Sequence, residues 1–291
     1  MMTNLILLDT ASLIALLFVV LIGLPHGAFD GAIANHLGAG RSLAAGMKFI
    51  AIYCAVALLV IAIWLIAPGL TLTLFLIISM IHFGRGDAAA ESQPALLIQI
   101  LLHGGLPIFG IIYLQQDSVT PLFNALTDGS SDLALSLAEI IAPLMTAMTA
   151  LYVLLAFRDP SLRPRLAEFI LLAIAFAALP PLIGFAVYFC IIHTGRHMRR
   201  IWHMLSSSAS PRGVFSQAAG FTIASWLVGA AVFFGIDSGY PEAELLKIIF
   251  IGLAALTVPH MILVDGFFPR TTVSKIARQP IRVKVTQQDD E

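Results

Sequence analysis

Apolar stretches long enough to cross a bilayer recur along this chain, near residues 5 to 26, 45 to 67, 95 to 114, 133 to 157, 182 to 204, 214 to 236 and 245 to 266. A hydrocarbon slab about 30 Å thick needs about 20 such residues as a helix, because nothing inside it can satisfy a bare backbone N–H or C=O. Composition agrees: 59% of the residues are hydrophobic and 11% charged, against about 25% charged in a soluble domain, and mean hydropathy is +0.93. The expected fold is therefore an all-α, polytopic integral membrane bundle. A net charge of -1 gives no reason to expect nucleic acid binding, so the lipid bilayer and lipid-like molecules are the expected partners. Cys54 and Cys190 lie inside apolar runs and form neither a disulfide framework nor a metal motif.

Two shorter stretches decide the helix count. Residues 70 to 84 are bounded by Pro68-Gly69 and by the polar HFGRGD, and residues 166 to 179 end at Pro180-Pro181. The second would be about 21 Å long, which a tilted or half-buried helix tolerates. Cytoplasmic loops are enriched in Lys and Arg. With nine spans, Arg41, Lys48, Arg85, Arg158, Arg163, Arg165, Arg199, Arg200 and Arg212 fall on one face, and loops 115 to 132 and 237 to 244 are acidic. Merging residues 166 to 204 into one span, which would leave eight, splits the arginines between the two faces. Nine helices follow, with the N-terminus outside and the C-terminus cytoplasmic, in a multi-pass protein of the cell inner (plasma) membrane. The N-terminus lacks a basic start and carries Asp9, so it reads as the first span and not as a cleaved signal. Residues 1 to 270 form a single transmembrane domain, and 271 to 291 a basic then acidic tail.

In this topology five of the eight histidines, His26, His82, His193, His197 and His260, lie towards the cytoplasmic face. Ionisable groups at membrane depth are costly and face the bundle interior, so such a gathering reads as a functional site. In FCIIHTGRHMRRIWH, residues 189 to 203, His193 and His197 are four apart and project from one helix face, able to hold one metal ion. The bland alternative is a polar helix end with Arg196, Arg199 and Arg200 on lipid phosphates. A zinc peptidase would need Glu after the first His, where Thr194 stands. In GLPHGAFD, Pro25 and Gly27 suggest a helix broken or ended at His26, with Asp30 placed to anchor a ring N–H or to stay solvated. His82 opens HFGRGD, where Arg85 and Asp87 are expected to pair at the surface. His103, beside Gly104 and Gly105, and His260, after Pro259, are expected in a substrate pocket or behind the ligands. His36 and His203 read as exposed and interfacial.

Ligation by imidazoles at four positions suits iron, copper, nickel or zinc. The intramembrane acids Glu139, Glu168 and Asp265 have no ligand spacing to the histidines. A histidine set without a carboxylate, among apolar walls, fits a redox metal acting with oxygen on a lipid-soluble substrate better than a hydrolytic zinc site.

PHGAFD at 25 to 30, HFGRGD at 82 to 87, HGGLP at 103 to 107, FCIIHTGRH at 189 to 197 and PHM at 259 to 261 together resemble the Brp/Blh family of membrane β-carotene 15,15′-dioxygenases, in order and through almost the whole chain. The resemblance implies an oxidoreductase of carotenoid catabolism. It would cleave the central double bond of β-carotene with O2 at non-haem iron, Fe(2+), giving two retinal molecules for a rhodopsin. The family's iron histidines carry over onto His26, His82, His193 and His197. The competing classes are a non-catalytic carotenoid- or retinal-binding or opsin-assembly membrane protein, and a different His-ligated membrane iron oxidase. The desaturase kind of oxidase needs HxxHH arrays, which this chain lacks. A transporter and a haem protein with paired axial histidines are the remaining classes, and no inverted repeat supports the former.

Overall fold

The computed structural model describes residues 8–90, 93–205, 210–236 and 239–267; the tail 271–291 lies outside them. Ten helical runs make up the bundle. They are α1 Thr10–His36, α2 Leu43–Ile66, α3 Pro68–Asp87, α4 Pro94–Leu114, α6 Asp132–Arg158, α9 Pro211–Gly235 and α10 Pro241–Gly266, with α5 Gln116–Thr127 and α7 Arg163–Ala178 between them. Helix α8 runs as Pro181–Val187, Tyr188–His193 and Thr194–Leu205. Seven of these, all but α5, α7 and α8, are long and apolar enough to cross a membrane. Of the nine expected spans, α7 is only 16 residues, about 24 Å, and α8 carries Arg196, Arg199 and Arg200 in its final segment.

Local chemistry explains the starts. Asp9 caps α1 by accepting from the Ser12 amide at 2.8 Å, and Ser42 caps α2 through the Ala45 amide at 3.1 Å. Both satisfy amides that have no partner inside the helix. Helices α2 and α9 turn most of their length outward, with Ile66 83% and Phe234 84% exposed, as helices facing lipid do. A soluble protein rarely leaves so much contiguous apolar surface bare. On α2 the anchor is Trp64, buried, with its Nε1 donating to the Leu126 carbonyl at 3.1 Å.

The expected loop 115 to 132 contains α5, which buries Val119, Phe123 and Leu126 against the bundle. Its apolar residues recur at helical spacing, a signal that acidic flanks and Pro121 mask in the sequence. The expected break at GLPHGAFD takes the form of a change of helix type and not of an end. Helix α1 passes from α to a π-helical Val19–Gly23 and a 3-10 Leu24–Phe29, then back to α through His36. Pro25 sits at the start of the 3-10 segment, where its missing N–H costs least. Further π-helical turns occupy Leu106–Gly110 in α4 and Tyr188–His193 in α8.

The core sits where α3 and α4 cross. A Cβ on Gly84 would fall on the Ile100 carbonyl, and one on Gly104 on the Met80 carbonyl. The two backbones are therefore in contact, as small residues permit. Of the two uses the sequence offers for Gly104, room for a ligand or close approach of a neighbouring helix, the structure shows the second. Gly104→Ala is expected to lower stability by about 1–3 kcal/mol through overpacking. Thermal unfolding in detergent checks it, with Gly220→Ala, where a Cβ meets open space, leaving Tm unchanged.

Candidate metal centre

Five helical segments gather five imidazoles into one buried cluster. His26 comes from the 3-10 turn of α1, His82 from α3, His193 from the end of the π-helical turn of α8, His197 one turn later, and His260 from α10 just after Pro259. All are buried, between 0% and 7% exposed. The His26 ring centre lies 5.5 Å from His193, 5.3 Å from His197 and 5.2 Å from His260. His82 lies 5.1 Å from His193 and 5.3 Å from His260. His197 lies 6.2 Å from His193 and 4.9 Å from His260.

Hydrogen bonds set the tautomers of three rings. The Nδ1 of His82 lies 3.0 Å from Asp265 Oδ2, that of His260 2.8 Å from Asp30 Oδ1, and that of His26 bonds the Gly23 carbonyl. An ionised carboxylate or a carbonyl can only accept, so Nδ1 carries the proton in each and Nε2 keeps a free lone pair. This is the arrangement of metal-binding histidines, whose second nitrogen is held by a carboxylate or a carbonyl. The Nε2 atoms of His82, His193, His197 and His260 are buried and bond no protein group. A buried polar atom left so costs about 1–3 kcal/mol, a cost that a bound cation would remove.

The donor set fits a first-row transition metal. With a metal–nitrogen bond of about 2.1 Å and about 1.2 Å from nitrogen to ring centre, rings at right angles about one ion would stand about 4.7 Å apart and opposed rings about 6.6 Å. The seven separations, 4.9 to 6.2 Å, fall between these limits. Among the described residues no three His, Cys, Asp or Glu side chains already stand at finished ligand spacing. The rings are gathered but not closed on a point.

An apolar cleft meets the cluster at His26, His82 and His193. Helix α3 gives it Leu72, Phe75, Leu76, Ser79 and Phe83, a stripe at helical spacing, and α8 gives Leu182, Phe185 and Phe189. Helix α5 closes it with Val119, Leu122, Phe123 and Leu126. From Leu72 to His82 is ten residues, so the cleft follows α3 for about 15 Å away from the rings. Its polar lining besides the histidines is Ser79 and Thr257.

The structure separates residues that look alike in sequence. His103 is not brought to the cluster: it is buried beside Tyr152 and Phe169, with ring centres 6.3 and 5.7 Å away. His260, paired with it in expectation, stands among the four other rings. Arg85 and Asp87 do not pair. Arg85 reaches Asp265 at 3.6 Å, whereas Asp87 is 1% exposed, accepting from Tyr188 Oη at 2.7 Å and lying 3.1 Å from Arg196 Nη1. They point apart because Asp87 faces the bundle one turn beyond Phe83, while Arg85 follows the outer side of α3. Arg196 also holds Glu168 at 2.5 Å, so it ties α8 to α3 and α7 and does not project to lipid headgroups. Asp30 anchors a ring N–H, one of the two places expected of it, but the ring is that of His260. The role of Asp265 behind His82 was hidden because its partner is 183 residues away; an acid inside an apolar span was the available signal.

Comparison with known proteins is consistent along the chain. A beta-carotene 15,15'-dioxygenase of an uncultured marine bacterium (66A03) is 35% identical over 267 residues, covering 90% of this chain and 96% of the relative. A probable beta-carotene 15,15'-dioxygenase Blh of Halobacterium salinarum is 26% identical over 283 residues, covering 84% of this chain and 81% of that protein. No solved structure matches the chain significantly. The family model described as beta-carotene 15,15'-dioxygenase matches residues 17–268, the whole of the bundle that carries the histidines and the cleft, and the chain belongs to that family.

Proposed function

We propose that this membrane enzyme cleaves the central 15,15′ double bond of β-carotene with O2, giving two retinal molecules, at non-haem Fe(II) held by His26, His82, His193 and His197. The observation that carries the reading is the meeting of an apolar cleft with buried imidazoles whose nitrogens lack protein partners. Family membership and the two relatives support the carotenoid substrate.

Iron(II), when bound, supplies the electron exchange that lets O2 react with a closed-shell polyene. The chain does the rest. Phe75, Phe83, Phe185 and Phe189 line the walls with ring surface, a hydrocarbon's best contact, and keep water from the reacting bond. Conjugated double bonds differ little in reactivity, so the bond cleaved is set by how far the polyene enters. Leu72, Leu122 and Leu126 line the portion remote from the rings and act as that stop. Asp265, Asp30 and the Gly23 carbonyl hold ring protons on Nδ1 and keep each Nε2 ready to donate.

The bundle is read as nine crossings, α7 and α8 being added to the seven long helices, with the N-terminus outside and the basic face cytoplasmic. Arg85, which reaches Asp265 behind His82, and Arg196, between His193 and His197, lie on the histidine side of the bundle and support that orientation. The inner membrane is the corresponding location, and a rhodopsin is the expected consumer of the retinal.

Two outcomes follow. In a β-carotene-producing bacterium the wild-type chain is expected to form retinal, and His193→Ala to form none and to lose bound iron at least about 10-fold. Retinal from an iron-free variant would refute the assignment. Leu122→Trp, which shortens the cleft, is expected to keep iron while lowering kcat/KM for β-carotene by about 10-fold or more, as about 1–3 kcal/mol of overpacking requires. Chromatography of the cleavage products checks whether the cut also moves off centre.

A further inference from the structure

We infer that His260 supplies a fifth imidazole to the centre and is not a pocket residue. The inference rests on reading the cluster as an iron site and adds to it a donor and the device that aims it. Its ring is 5.2 Å from His26, 5.3 Å from His82 and 4.9 Å from His197, so it contacts three of the four proposed ligands. The 4.9 Å separation is the shortest in the cluster. Its Nε2 is buried without a protein partner, and the ring itself is 2% exposed.

The other nitrogen explains the aim. Asp30 Oδ1 accepts from Nδ1 at 2.8 Å, and Asp30 is buried, 3% exposed. Tyr53 Oη stands 2.9 Å from Asp30 Oδ2 and 3.1 Å from the Leu256 carbonyl, with one proton to give. Tyr53, Asp30 and His260 thus form a line from α2 through α1 to α10 that ends on a free lone pair. Asp265 performs the same service for His82. A histidine present only for packing has no need of a buried carboxylate to fix its tautomer, nor of an unsatisfied nitrogen among four others.

The cleft touches His26, His82 and His193, whereas His197 and His260 are absent from its lining. A metal ion held by the five rings would meet a substrate from the side of the first three.

The test uses the full chain in detergent, reconstituted with Fe(II). X-ray absorption fine structure at the iron edge counts imidazoles, and metal analysis after dialysis reads retention. Wild type is expected to show five rings. His260→Gln, a polar replacement chosen to preserve folding, should show four and hold iron about 10–100-fold more weakly. Asp30→Asn should keep five while weakening retention about 10-fold. Added imidazole should restore retention in His260→Gly, which a packing role does not predict. Four rings in wild type, unchanged in His260→Gln, would overturn the fifth donor alone. Wild type without imidazole-bound iron would overturn the iron reading and the inference together.

Discussion

Imidazole nitrogens sealed inside an apolar bundle without a protein acceptor are the constraint on which the rest of the structure depends. At membrane depth no water is at hand to pair them, so the fold must either supply partners or leave them for a ligand. Within the five-ring cluster it does the first for Nδ1 on three rings and the second for Nε2 on four. The cost of those free nitrogens is recovered only if something binds them. An assembly that merely filled space would have used apolar side chains in their place.

Holding five rings from four helices requires those helices to be fixed relative to one another. The crossing of α3 with α4 is set by backbone contact at Gly84 and Gly104, which leaves little freedom in the depth of His82. The tilt of α8 is set by Arg196, which lies between His193 and His197 in sequence and bonds Asp87 of α3 and Glu168 of α7. Buried ion pairs of this kind add little stability compared with apolar packing, but they select one arrangement of the elements they join. The π-helical turns act in the same service. Each widens a helix by a residue just before or beside the site, and the one in α8 sets where His193 falls relative to Phe189.

The cleft is the complement of the cluster. Its walls are aromatic and aliphatic, and its polar content is concentrated where the rings are. A substrate with functional groups would leave them unpaired along most of its length; a hydrocarbon would not. In the proposed reaction, chemical and positional selectivity come from different parts of the chain, the rings supplying one and the remote wall of α3 and α5 the other.

The sequence by itself determined the class of fold, because span length is a local property that a bilayer imposes. It also singled out the HxxxH pair, whose spacing is read along one helix. It did not separate His260 from His103, since both follow the same pattern of a histidine near Pro in an apolar run, and only the packing of α10 against α1 and α3 distinguishes them. The partners of Asp265, Asp87 and Arg196 were equally hidden, being 183, 101 and 28 residues away for His82, Tyr188 and Glu168. Helix α5 was lost to its acidic flanks, and the π-helical turns to a reading that assumes 3.6 residues per turn. Which rings meet, which nitrogen each presents and where the cleft touches them were decided by tertiary structure alone, because those facts depend on how helices distant in sequence cross, and no local pattern records a crossing.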